Sequence, residues 1–230
     1  MKSGAEHWDE EYSSGSKHFH ALASSDPSIS AIKFVEYLEG LHKPLIGDLL
    51  EVGCGMGRNT NWLAQKGFRA TGMDISKVAI EEAQKRAKEL GLEVKYISGD
   101  MALPWPLSDN SLDFILDFVT SHLLNLEQLS SYLSEVQRVL RDDGRFALYT
   151  LDRTKDQQAQ RLLVENPGPE PQTYIIPEMN HIERALTLEE IAEVYSPFIV
   201  EHSDLIYRPT RFGDQTYEKY YWFVVLKKSI

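Results

Sequence analysis

Cysteine is nearly absent, with Cys54 standing alone in 230 residues. One thiol excludes an internal disulfide and any zinc site built from several cysteines, and it fits a reducing compartment such as the cytoplasm. Long apolar runs are missing as well, because none approaches the roughly 20 residues that cross a bilayer. The opening stretch MKSGAEHWDEEYSSGSKHFH has no apolar segment, so no secretory signal is expected. Cations are scarce: 24 Lys and Arg face 35 Asp and Glu, for a formal net charge of −11. The field of such a chain repels phosphate backbones and no basic patch offsets it, so nucleic acid is demoted as a partner and no membrane is expected. Repeats and low-complexity tracts are also lacking. What remains, 42% hydrophobic and 26% charged, suits a globular domain with a sizeable core.

Strand and helix signals alternate from residue 47 to 151. GDLLEV reads as a buried strand stopping at Gly53, and GRNTNWLAQKG as a helix with a left-handed cap at Gly67. FRATGMD is a second strand, ISKVAIEEAQKRAKELG a long helix ending at Gly91, and EVKYISGD a third strand. SLDFILDF follows a turn-rich stretch. NLEQLSSYLSEVQRVLRDDG is then a helix with Asn125 and Gln128 as its capping box, one apolar face of Leu126, Leu129, Leu133, Val136 and Leu140, and a stop at Gly144. RFALYTL is a fifth strand. This alternation predicts an α/β fold, a doubly wound and mostly parallel sheet with helices on both faces. The region 152–186, with NPGPEPQ and Pro177, breaks the rhythm and reads as an irregular insertion. Thr187 and Glu190 open another capped helix, and FIVEHSDLIY and YYWFVVLKK read as strands forming a hairpin at the sheet edge. Together these predict one domain over 1–230: an N-terminal arm and helix at 1–45, a core at 46–151, a cap at 152–186, and a C-terminal helix and strands at 187–230.

The loop after the first strand runs Gly53-Cys54-Gly55-Met56-Gly57-Arg58. A dinucleotide fingerprint places its third glycine where Arg58 stands, so a nucleoside ligand without a pyrophosphate is better supported than NAD. The second strand ends at Asp74, whose two oxygens suit a ribose cis-diol. The third ends at Asp100, an acceptor for an exocyclic adenine amine, beside Met101, which can pack on a purine. An aspartate at a strand end is ordinarily a turn former; three such features in order, each at a strand's carboxyl end, point to a ligand site.

These segments resemble the class I S-adenosylmethionine-dependent methyltransferases, over roughly 47–151 and more loosely the whole chain. LLEVGCGMGRNT resembles the family's first motif, ATGMDIS its second, ISGDMALPWPLSDNSLDFIL its third with the fourth strand, and VQRVLRDDGRFAL the turn into the fifth strand. GRNTNWLA is similar to small-molecule enzymes of the tellurite-resistance and thiopurine kind. The resemblance implies a seven-stranded sheet with an antiparallel C-terminal hairpin strand and S-adenosyl-L-methionine as cofactor. It places Glu51, Gly53, Gly55 and Arg58 around the methionine part, Asp74 with Ile75 at the ribose, Asp100 and Met101 at the adenine, and Asp117 near the sulfonium.

Methyl transfer from an activated donor asks the protein mainly to position and desolvate. His122, after the fourth strand, is the first candidate for a base, since imidazole titrates near neutrality. Tyr12, with Trp8, is a candidate lid residue over the cofactor. His18 and His20 have no evident third ligand, so no metal site is expected. The fourth strand continues as Asp117-Phe118-Val119-Thr120, without the Pro-Pro of nucleobase and glutamine N-methyltransferases. With the cap and the aromatic C-terminus, this favours a small organic acceptor. A protein-lysine methyltransferase is the alternative reading. A catalytically silent cofactor-binding subunit and an NAD-dependent oxidoreductase stand behind it.

Overall fold

The computed structural model describes residues 4–14, 24–177, 181–212 and 215–229; His18 and His20 lie outside them. Helix α1 (Gly4–Ser13) precedes α2 (Ile29–Gly40), which Ser28 caps by accepting from the Ala31 N–H. The core then runs β1 (Asp48–Val52), α3 (Arg58–Lys66), β2 (Arg69–Asp74), α4 (Lys77–Glu89), β3 (Lys95–Ser98), β4 (Leu112–Phe118), a 3-10 turn (Ser121–Leu123), α5 (Leu126–Val139) and β5 (Leu140–Asp152). Next come α6 (Gln157–Glu165), β6 (Thr173–Ile176), β7 (His181–Leu186), α7 (Leu188–Val194), β8 (Ile199–Tyr207), β9 (Thr210–Phe212), β10 (Gln215–Tyr217) and β11 (Tyr220–Lys227).

The main sheet has the order β3-β2-β1-β4-β5-β11-β8. Strands β1 to β5 are parallel, and β11 runs antiparallel between β5 and β8. This is the mixed α/β, mostly parallel architecture expected, with β11 lodged inside the sheet and, of the C-terminal pair, only β8 at an edge. The order reverses between β1 and β4, and a crevice at the carboxyl ends of those strands is where open α/β sheets bind ligands.

Side chains alternate across the sheet with period two. Leu49, Phe114, Leu116, Ala147, Tyr149 and Phe223 pack on one face, under α2 and α3. Leu50, Val52, Ile115, Phe146, Leu148 and Val224 pack on the other, under α5 and α7. The alternation also settles where the polar residues go: Glu51 lies on the α3 side and Asp117 on the α5 side.

Three expectations need correction. Helix α5 stops at Val139 and the chain passes directly into β5, so Gly144 lies within that strand and is not a cap. Leu126 is 46% exposed and does not share the buried face of α5. The cap is not irregular: α6 is capped by Asp156, and β6 pairs with β7, which joins the end of β5 through Leu151↔Ala185 and Asp152↔Leu186. Both capping boxes, Asn125/Gln128 and Thr187/Glu190, form as expected. No described helix is long and apolar enough to cross a membrane.

Candidate functional site

Strand β1 ends in the glycine loop, where Gly53 and Gly55 adopt φ of 67° and 52°, a left-handed region that L side chains avoid. Space forbids a side chain there too. A Cβ on Gly53 would lie 2.3 Å from Thr120 Oγ1, and one on Gly55 would lie 2.7 Å from the Tyr12 hydroxyl. The loop is therefore held between the turn after β4 and helix α1.

Asp74, at the end of β2, accepts the Gly55 N–H at 2.8 Å and the Ser76 N–H at 2.9 Å, one on each carboxylate oxygen. Each oxygen keeps a further acceptor site, so a diol can still be gripped. Burial raises the Asp74 pKa, and these backbone donors oppose it. Helix α1 lies against the same place. Asp9 accepts the Ser76 hydroxyl at 2.6 Å and the Val78 N–H at 3.2 Å, which adds an acceptor at the N-terminus of α4. A Cβ on Gly4 would meet Ile75 Cδ1 at 3.6 Å. Tyr12 is buried, and desolvation together with the Asp74 charge pushes its phenol well above the usual value. It stays protonated at neutral pH, which does not suit a base.

Glu51 is 2% exposed. It accepts from Asn59 Nδ2 at 2.8 Å and from the Thr60 hydroxyl, which ties β1 to the first turn of α3. Burial pushes its carboxyl up to about 7, against the pull of these donors and of the more distant Arg58. Asp100 accepts the Ala102 N–H at 2.9 Å, forming the turn after β3, and the Met101 carbonyl accepts the Trp105 indole N–H at 3.1 Å. Both residues stand at the carboxyl end of the sheet, beside Asp74.

Asp117 is fully buried, and burial raises its pKa. One oxygen accepts the Thr120 and Ser121 N–H groups, each at 3.1 Å, and the other accepts the Tyr132 hydroxyl at 3.0 Å. Its carboxylate builds the turn that lays Thr120 over Gly53. The turn is strained: Val119 is β-branched and takes φ of 62°.

His122 lies in that turn and is buried, with its Nε2 3.8 Å from Glu183 Oε1. Glu183 on β7 also accepts the Tyr174 hydroxyl at 2.7 Å. Two residues farther back on β7, His181 Nε2 lies 2.6 Å from His7 Nε2, and its ring packs near Trp8. Helix α1 therefore spans from the glycine loop to the cap. Asp9, His181 and Glu183 were not apparent as site residues from the sequence; only the alternation of HIERAL, which puts His181 and Glu183 on one face of a strand, hinted at the last two.

Residues 49–144 match the methyltransferase domain family. Over 103 residues the chain is 34% identical to methyltransferase GfsG of Streptomyces halstedii, covering 44% of this chain and 36% of that one. It is 33% identical over 102 residues to the demethylmenaquinone methyltransferase of Tropheryma whipplei, covering 44% of this chain and 40% of the relative. The chain thus spans well under half the length of these two relatives. Its fold is similar to that of Burkholderia thailandensis 1,6-didemethyltoxoflavin-N1-methyltransferase, solved with its acceptor and S-adenosylhomocysteine. That match has a TM-score of 0.68 at 17% identity and covers 100% of this chain and 92% of that one.

Proposed function

From the membership of this chain in the class I S-adenosylmethionine-dependent methyltransferases, we propose that it transfers a methyl group to a small organic acceptor. The donor set suits the cofactor: carboxylates at Glu51, Asp74 and Asp100 for cationic and hydroxyl groups, and Arg58 for a carboxylate. S-adenosylmethionine supplies, when bound, a methyl group already activated by a positively charged sulfur. Gly53, Gly55 and Arg58 line the methionine part, Asp74 and Ile75 hold the ribose, and Asp100 with Met101 holds the adenine. Asp117 contributes by fixing the turn beside the reacting centre. Tyr12 closes over the loop from α1 and excludes water, and His122 is the nearest candidate to take a proton.

One observation carries this reading: α1 roofs the crevice from Asp74, through Asp9 and Ser76, to His181 on β7. A helix laid over the carboxyl ends of the strands covers the reacting centre, which suits a small molecule better than a side chain on a folded protein surface. Two relatives with small-molecule acceptors in their names, demethylmenaquinone and 1,6-didemethyltoxoflavin, agree with it. The cytoplasm is the proposed location, on the single cysteine and the acidic charge. The test is incubation of the purified chain with methyl-labelled cofactor and a mixed metabolite pool plus protein. Label in the small-molecule fraction is expected. Label in precipitated protein, or no transfer at all, overturns the proposal.

A further inference from the structure

Among the titratable side chains beyond the cofactor crevice, one group is arranged as a relay. His122 is 5% exposed, and its Nδ1 has no hydrogen-bond partner among the described residues. Its other nitrogen faces Glu183 at 3.8 Å. Glu183 is itself steered by the Tyr174 hydroxyl at 2.7 Å. Two different parts of the chain build this arrangement: the turn after β4 carries the imidazole, and β7 of the cap carries the carboxylate.

Resting on the methyltransferase reading, we infer that Glu183 is a positioning residue that holds His122 with its Nε2 proton toward the carboxylate, so that Nδ1 accepts the proton of a hydroxylated acceptor. A carboxylate beside one ring nitrogen fixes the tautomer and stabilises the imidazolium that forms. The acceptor O–H proton moves to His122 Nδ1, an oxygen lone pair forms the new O–C bond, and the C–S bond breaks with its electron pair staying on sulfur. His122 then returns the proton to solvent. The acceptor class follows from the need for a base. A neutral amine attacks with its own lone pair and can lose its proton afterwards. A phenol or enol is a poor nucleophile until its proton is leaving.

The surroundings of the pair agree. Burial pushes the Glu183 carboxyl up, but His122, Lys219 and the Tyr174 hydroxyl outweigh it and hold it down at about 2. It is thus an anion at every working pH. The other charged groups acting near His122 are Asp117 from its own turn and His181 from β7, the latter kept low by burial and by His7.

The test is nitrogen NMR of the histidine tautomers in the full chain and in Glu183→Gln, which keeps the shape and an acceptor for Tyr174 but removes the charge. The neutral His122 ring is expected to carry its proton on Nε2 in wild type and to become a mixture of tautomers in the variant. Transfer to catechol is expected to drop about tenfold to a hundredfold, with the acid limb of its pH profile moved to lower pH and the KM for the cofactor unchanged. Glu183→Asp, which restores the charge at a longer reach, should recover part of the rate, and it stands in if the glutamine variant does not fold. A His122 tautomer that is the same in both proteins overturns the inference. So does a wild-type preference for thiophenol or aniline over catechol, or no transfer to catechol. Calorimetric binding of S-adenosylhomocysteine separates the two levels: absent binding overturns the methyltransferase reading, whereas normal binding with an unchanged His122 tautomer overturns only the relay.

Discussion

Two glutamates removed from water, Glu51 on β1 and Glu183 on β7, stand in opposite electrostatic states. Glu51 in the core touches only neutral donors among the described residues, Asn59 and Thr60, and burial pushes it up to about 7. Glu183 in the cap, with a side chain 12% exposed, lies beside His122, Lys219 and Tyr174 and is held down at about 2. Among the described residues no cation touches the desolvated core acid, a state that a cationic ligand group would relieve. The cap acid has its countercharges already and is free to orient a neighbour. Under the proposed function, the contrast would divide the work between the two halves, with the core gripping the cofactor and the cap serving the acceptor.

The largest test of that division is the tie between the halves. Arg184 is fully buried and donates to Glu170 at 2.5 Å, to the Leu124 carbonyl at 3.3 Å and to the Pro171 carbonyl at 3.2 Å. Arg184→Ala strips Glu170 of its cation and loosens β7 from the turn that carries His122. It should cost about 3–5 kcal/mol in urea unfolding, and a loss below about 1 kcal/mol would mean that the cap is not held there.

The two glutamates themselves should give opposite slopes of stability against pH. Between pH 4.5 and about 7 the unfolded chain has released the Glu51 proton while the fold still holds it. Wild-type stability should therefore fall relative to Glu51→Gln as pH rises through that window, by on the order of 3 kcal/mol. The Glu183 carboxyl is ionised in the fold but protonated in the unfolded chain between about 2 and 4.5. Its contribution should be lost as pH falls through that lower window, by a similar amount on the order of 3 kcal/mol. Urea titrations across both ranges check the pair, and parallel slopes would erase the comparison. Binding of the cofactor, whose methionine amine is cationic, should also release a proton near neutral pH in wild type and none in Glu51→Gln, as read by calorimetry in buffers of different ionisation enthalpy.

A smaller effect is expected at the loop. Gly55→Ala meets a left-handed φ of 52° and the Tyr12 hydroxyl, and should cost about 1–2 kcal/mol in stability. Adding Tyr12→Phe should recover part of that cost if α1 presses on the loop as described. Smallest, and of opposite sign, is Val119→Gly. Glycine accepts φ of 62° without strain, so the variant should gain about 1 kcal/mol by thermal unfolding.

The core was legible because its signals are local. The strand DLLEV, the glycine loop and the capping pairs Asn125/Gln128 and Thr187/Glu190 each encode their own geometry within a few residues. The end of β2 falls at Asp74 as its sequence suggests, whereas β3 stops at Ser98, two residues before the expected Asp100, which forms the turn that follows. Other features depend on partners distant in sequence. Asp117 reads as a free carboxylate at a strand end, and only the two-residue alternation of β4 turns it toward Tyr132 on α5. The cap reads as irregular because Pro167, Pro169, Pro171 and Pro177 interrupt it, yet Leu151↔Ala185 and Asp152↔Leu186 draw β7 to the end of β5. The Glu183–His122 pair spans 61 positions of sequence, and no short pattern announces it. Helix α1 is similar: Asp9 reaches Ser76 across 67 positions.

Calorimetric titration of the wild-type chain and of Asp74→Ala with S-adenosylhomocysteine tests the central claim most directly. One molecule should bind per wild-type chain, and loss of the carboxylate should weaken binding by about tenfold to a hundredfold, the worth of hydrogen bonds to a charged group. No heat with wild type, or equal affinity in the two proteins, would contradict a cofactor seated at the carboxyl ends of β1, β2 and β3.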